Sequence, residues 1–183
     1  IGLTVPMASL VRRLLPDRPE PAPTTYLDDL LIPTPSLAMH MIRLELGRLG
    51  AAVLEMVRAG FDPVLSGSAS ALDRLRRKDH EVDSMHGAII RYLGRLSKMN
   101  LSDELTEELH DCISAANYLE NIGDMVETNL VGAGGKRLQR ALEVSPTTHA
   151  MLRELHERVT WSVERAVAAL AAADASIAAE VVD

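Results

Sequence analysis

At 183 residues the chain is long enough for one or two domains with a real core, and 47% of it is apolar while only 3% is aromatic. Ala, Leu, Val and Met carry the apolar load, which argues against a sheet core and for helix packed on helix, an all-α fold. A net charge of −7 and a pI near 5.4, with no basic stripe, exclude nucleic acid as the main partner. The single cysteine, Cys112, excludes an internal disulfide framework and a thiolate metal site; its place on a helical seam makes it a packed small hydrophobe.

In chain order, Ile1 to Val11 followed by Arg12-Arg13 is too short to span a bilayer, which takes about 20 apolar residues. It reads as the last turns of a membrane helix leaving on the cytoplasmic side, where Arg and Lys accumulate, or as an ordinary amphipathic N-terminal segment. Residues 1–15 are assigned to the first of these, the end of a membrane-exit segment. Pro16, Pro19, Pro21, Pro23, Pro33 and Pro35 are six of the nine prolines and make 16–33 a stiff, extended linker.

Four helices follow. The first has Thr34 as N-cap, Pro35 at its first position and Gly60 as its close, with a seam of Met39, Ile42, Leu46, Leu49, Val53 and Met56. A second begins after the Ser66–Ser70 cluster, and its seam of Leu72, Leu75, Asp79, Val82, His86, Ile89, Leu93 and Leu96 contains two polar residues. A carboxylate on an apolar seam needs a partner. The third starts after Ser102, with Asp103 and Glu104 in its first turn. Its seam is Leu105, Leu109, Cys112, Ala116, Leu119, Gly123, Val126 and Leu130, and beside it run Ile113, Asn117, Glu120, Asp124 and Glu127. Gly132, Gly134 and Gly135 end it and open a glycine-containing loop, 132–145. The fourth is capped by Ser145 with Pro146 following, along a seam of Leu152, Leu155, Val159, Val163, Ala166 and Leu170. A short Ala-rich piece, Ser176 to Val182, opens a fifth. The organisation is thus a three-helix unit (34–131) and the start of a second, truncated unit (146–183).

The chemistry sits in two carboxylate couples. Asp79 with Asp83, and Glu120 with Asp124, are each spaced i, i+4 and so share a helix face. The second and third helices form a hairpin turning near Lys98-Met99-Asn100-Leu101, where residues at one level have numbers summing to about 200. Asp79 with Glu120 sums to 199, and both Asp83 with Glu120 and Asp79 with Asp124 sum to 203. The spacing therefore brings four carboxylates to one level, where they cannot all stay ionised without cations. A bound metal supplies that charge; protonation, or pairing with Arg76, Arg77 or Lys78, is the structural alternative. All-carboxylate ligation suits Mg, Ca or Mn, and also iron. Asn117 and His86 are candidates to support the ligands from behind, His86 being equally a hydrogen-bonded seam histidine. Small residues at Ala116 and Gly123 leave room beside the acidic stripe. Glu107-x-x-His110 matches half of a di-iron motif, but no second copy faces it. His80, His149 and His156 read as solvent-facing. There is no Ser/His/Asp order and no phosphate-cradling glycine loop, and no residue reads as catalytic.

Several stretches resemble the PhoU-like helical domain found at the cytoplasmic C-terminus of bacterial sodium/phosphate cotransporters. Tyr26-Leu27-Asp28 followed by Pro35-Ser36-Leu37-Ala38 looks like the domain entry. Asp79-His80-Glu81-Val82-Asp83 looks like the family's D/E-x-x-x-D motif, and Asn117-Tyr118-Leu119-Glu120-Asn121-Ile122-Gly123-Asp124 looks like its partner. Asn121 stands where an arginine is usual. The resemblance implies three-helix bundles in tandem, multinuclear iron or zinc clusters held by these carboxylates, and regulation of phosphate uptake without catalysis. The expectation is a cytoplasmic regulatory domain of a sodium-dependent phosphate transporter in the inner (plasma) membrane, binding Fe, Zn or Mn through Asp79, Asp83, Glu120 and Asp124. Its partners would be the membrane portion of the parent chain and a second copy covering the apolar stripe of the fourth helix. The alternatives are a metal-free helical interaction and oligomerisation module and, ranked below it, a carboxylate-bridged metalloenzyme.

Overall fold

The computed structural model describes residues 25–172 and 175–181, so the membrane-exit segment 1–15 and the linker as far as residue 24 lie outside the described residues. Helix α1 (Pro35–Ser66) is the axis of the bundle. At about 1.5 Å per residue its 32 residues span about 48 Å. Met39, Ile42, Leu46, Leu49, Val53 and Met56 are all fully buried along one stripe, as the three-four spacing predicts. Helices α2 (Ala69–Leu96) and α3 (Asp103–Asp124) pack on that stripe as an antiparallel hairpin. The hairpin turns over residues 97–101, and the Ser102 hydroxyl caps α3 by accepting from the Leu105 N–H at 3.3 Å.

Two glycine assignments are corrected. Gly60 does not close α1; the helix runs through it and through Pro63 to Ser66. Pro63 forfeits one backbone bond, but a Cβ at Gly60 would only touch Val126, and Val64 is buried, so packing carries the helix on. The stop falls at Gly67, whose N–H bonds the Pro63 carbonyl and where a Cβ would lie 2.5 Å from Pro63 Cα. Likewise Gly132, Gly134 and Gly135 do not begin a loop. After Asp124 the chain continues as a π-helical segment, Met125–Val131, and then as α4 (Gly132–Gln139). No glycine among the described residues has positive φ. Gly134 serves close approach instead: a Cβ there would meet Leu72 Cδ2 at 3.0 Å and Val64 Cα at 3.1 Å. Just past the end of α4, Ala141 with a φ of 49° closes a Schellman motif, with the Leu142 N–H on the Arg137 carbonyl and the Ala141 N–H on the Leu138 carbonyl.

The π segment also moves the seam. Its wider turn accommodates one extra residue, so Leu130, expected inside, is 39% exposed and Val131 is fully buried in its place.

Helix α5 (Pro146–Ala172), capped by the Ser145 hydroxyl on the Thr148 N–H, packs along the flank of α1. Its contact face follows the expected seam only in part: Leu170 packs against the core, but other residues make most of the contact. Val167 sits against Gly50, His156 Nε2 bonds the Val57 carbonyl at 2.9 Å, and both His149 and His156 pack on Phe61. These two histidines therefore do not face solvent as read. Leu152, Leu155 and Val159 instead remain 37–58% exposed. With Val57, Gly60, Phe61 and Leu130 they line an apolar groove of about 590 Å³ between α1, the π segment and α5. A short helix, α6 (Ala175–Ala179), folds back on α5, where Glu180 pairs with Arg165 at 2.5 Å.

Residues 25–33, expected as free linker, form a docked strap. The Tyr26 N–H donates to the buried Glu45 carboxylate at 2.9 Å, residues 29–31 make a 3₁₀ turn, and the Tyr92 hydroxyl donates to the Asp28 carbonyl at 2.7 Å. Leu27, Leu31 and Ile32 supply the driving force by packing against the core. Among the described residues no helix is long and apolar enough to cross a membrane.

Candidate metal centre

The register of the α2/α3 hairpin decides which acids meet. His86 Nε2 lies 2.9 Å from Asn117 Oδ1, a pair whose numbers sum to 203, as do Asp83 with Glu120 and Asp79 with Asp124. Side-chain oxygens of Asp83, Glu120 and Asp124 accordingly lie within 4.8 Å of one another, and donor atoms of Asp79, His80 and Asp83 form a second such group. Asp83 belongs to both, so the two groups make one continuous acidic layer. Asp83 and Asp124 are exposed and Glu120 is half-buried. Asp79 is buried, and its Oδ1 has no hydrogen-bond partner.

Gly123 permits this closeness. A Cβ there would come within 3.2 Å of Val82 Cγ1 and 3.5 Å of Asp79 Oδ1. The small position on the α3 seam thus lets α2 bring Asp79 down onto the acidic stripe.

Electrostatics follow from the packing. Burial pushes the Asp79 carboxyl up from 3.8 to about 6; Asp83, Asp124 and Glu127 add to the rise, and His80 opposes it. Of the expected basic partners, Arg76 and Lys78 are engaged elsewhere, and Arg77 makes no ion pair among the described residues. Arg76 pairs with Asp73 at 2.7 Å and reaches Glu127 at 3.4 Å, and Lys78 pairs with Glu55 at 2.5 Å. Glu127 therefore leaves the ligand stripe for Arg76. Among the described residues none of Asp79, Asp83, Glu120 and Asp124 has a Lys or Arg within 4.0 Å; His80 Nδ1 is 4.0 Å from Asp83.

The arrangement fits a cation. An orphaned buried oxygen, three convergent carboxylates and a glycine that keeps the space open make a donor set for a hard or borderline metal. His80 adds the nitrogen donor that the sequence reading set aside as solvent-facing. Its signal was positional, one residue after Asp79 and three before Asp83. Asn117 and His86 satisfy each other one turn beyond the acids, where they fix the register rather than reach the layer. Cys112 is buried in the core with its thiol pushed up to about 11 by desolvation, an inert packing group.

The fold is an all-α bundle of long helices crossed by an acidic layer. Residues 46–128, which include all four carboxylates, match the PhoU domain family. Over 125 residues it is 29% identical to a protein of Escherichia coli (strain K12) named "Putative inorganic phosphate export protein YjbB", covering 67% of this chain and 23% of that protein. The protein of the same name from Salmonella typhimurium is 30% identical over 124 residues, 66% of this chain and 23% of the relative. The chain thus spans about a quarter of the length of the curated relatives it matches. No solved structure matches it.

Proposed function

We propose that this chain is the cytoplasmic regulatory domain of a phosphate transporter in the inner membrane, of the sodium-dependent class its motifs resemble. In this reading Asp79, Asp83, Glu120 and Asp124, with His80 beside them, hold an iron, zinc or manganese ion. One observation carries the metal: among the described residues the four carboxylates of this layer have no Lys or Arg partner, and one of them has a buried, unpartnered oxygen. The PhoU match and the relatives' printed link to inorganic phosphate support the phosphate setting. The bound ion would supply positive charge that lets all four carboxylates ionise and ties α2 to α3. Asp83, bridging both donor groups, holds the layer together, Gly123 sets its width, and the His86–Asn117 bond keeps its register. No residue has a catalytic role.

Elemental analysis of the purified protein beside an Asp83→Asn/Glu120→Gln variant tests this. Near-stoichiometric iron, zinc or manganese in the wild type and its loss in the variant is the expected result. Absence of metal from both, even after incubation with those ions, would remove the metal from the proposal. The second reading, a metal-free oligomerisation module, is favoured by the exposed stripe of Leu152, Leu155 and Val159. A second copy covering that stripe is compatible with either reading, and light scattering over a concentration series tests it. A monomer throughout would eliminate the self-association.

A further inference from the structure

On the side of α2 away from the acidic layer is a second pocket of about 290 Å³. Leu27, Met85 and Ala88 give it an apolar wall, and Thr25, Glu45, Ser84, Arg91 and Arg95 give it polar groups. Its charges do not cancel. Arg48 Nη1 holds both oxygens of Glu45, at 2.9 and 3.1 Å, and the Tyr26 N–H holds one of them as well. Arg95 is paired with Asp29 at 2.6 Å and lies over the Tyr92 ring. Arg91 alone has no partner among the described residues, and neither does the Ser84 hydroxyl.

The placement of Arg91 is built by the sequence. Its guanidinium curls back one turn over Gly87, where a Cβ would meet Nη1 at 3.0 Å. Ser84 and Ala88 make a low stretch of the pocket wall, and the exposed Arg91 side chain folds back along the same helix. The Thr25 hydroxyl, which accepts from the Leu27 N–H at 3.1 Å, still has its proton to donate. Among the described residues, one unpaired guanidinium-bearing side chain and two hydroxyl-bearing ones line one pocket, and the carboxylate that lines it, Glu45, is already held by Arg48. That is the donor set for a tetrahedral oxyanion.

We propose that this pocket binds a phosphate group through Arg91, with Ser84 and Thr25 as hydroxyl donors. The group is either free inorganic phosphate or the phosphate of an anionic lipid headgroup, and the chemistry is the same. The site is separate from the acidic layer and does not depend on the metal reading.

The test uses the full chain in chelator, so that no metal holds the anion. Inorganic phosphate is titrated while backbone amide NMR shifts are followed, and sedimentation with phosphatidylcholine vesicles is compared with that on vesicles containing phosphatidate. Shifts centred on Ser84 and Arg91, weakened about tenfold in Arg91→Gln and unchanged in Arg74→Gln, would establish free phosphate as the ligand. Gly87→Ala, favourable for the helix itself, is expected to weaken binding several-fold by displacing the guanidinium. Sedimentation with phosphatidate alone, lost in Arg91→Gln, would establish the lipid source. The same response in Asp83→Asn/Glu120→Gln would separate the pocket from the acidic layer. No response to either probe, or a response indifferent to Arg91→Gln, would overturn the proposal.

Discussion

Replacing Asp79 by Asn should stabilise the metal-free protein, against the usual result of changing a buried residue. The carboxyl is 7% exposed, lacks a partner for Oδ1 and sits beside other carboxylates, so its ionised form is penalised in the fold. The rise from 3.8 to about 6, about two units, corresponds to about 3 kcal/mol at 1.4 kcal/mol per unit. The sign follows from proton binding. Between these two values the folded state holds a proton that the unfolded chain has released, so this group's contribution falls as pH rises. The penalty is complete above about pH 7 and absent below about pH 4. Asn has the shape of the protonated acid and none of its titration. Urea unfolding in chelator should therefore show Asp79→Asn more stable than wild type by up to about 3 kcal/mol at pH 7.5, with the difference shrinking towards zero at pH 4. A variant no more stable at pH 7.5, or a difference that does not depend on pH, would refute the claim that Asp79 is a strained, uncompensated charge.

Three further outcomes follow from the packing. Ala141 holds a left-handed conformation, φ 49°, so Ala141→Gly should raise stability by about 1 kcal/mol in thermal unfolding. Tyr92→Phe removes the donor to the Asp28 carbonyl; a loss of about 1 kcal/mol and faster amide exchange over residues 26–32 are expected. Gly50→Leu puts bulk where a Cβ alone would lie 2.9 Å from Val167 Cγ1. It should cost about 1–3 kcal/mol and lower hydrogen-exchange protection in α5 while α2 and α3 keep theirs.

The parts of the fold legible in the sequence are those where one regular period decides burial. The α1 stripe from Met39 to Met56 needed only three-four spacing, and the hairpin register needed only a turn and two helices of ideal rise. That register alone brings Asp83, Glu120 and Asp124 together. Legibility ends where the period itself changes or where a residue has two uses. Nothing in Met125–Val131 marks a π turn, so the seam was carried one residue short, to Leu130. Glycines read as stops because a free φ is their commonest use, whereas Gly134 is there for what its missing Cβ admits and Gly60 sits mid-helix with room for a Cβ. On α5 the apolar stripe was assumed to be the packing face. His149, His156 and Val167 face α1 instead, because Gly50 and Phe61 offer them a socket that no single-helix pattern contains. His80 was passed over because exposure and ligation look alike in a one-dimensional pattern.

The π turn after Asp124 has a bearing on how this stretch tolerates change in length. Deleting one residue from the middle of an ordinary helix rotates everything beyond it by about 100°. Here the surplus is already stored: removing one residue between Met125 and Leu130 would let the segment tighten to α-helical pitch while Val131 slid into the slot that a regular seam assigns to position 130. The acidic layer would keep its upstream register, and Gly134 would still reach Leu72. Chains differing by one residue at this point therefore share the same core, and an alignment gap placed there marks a change of pitch, not a lost contact.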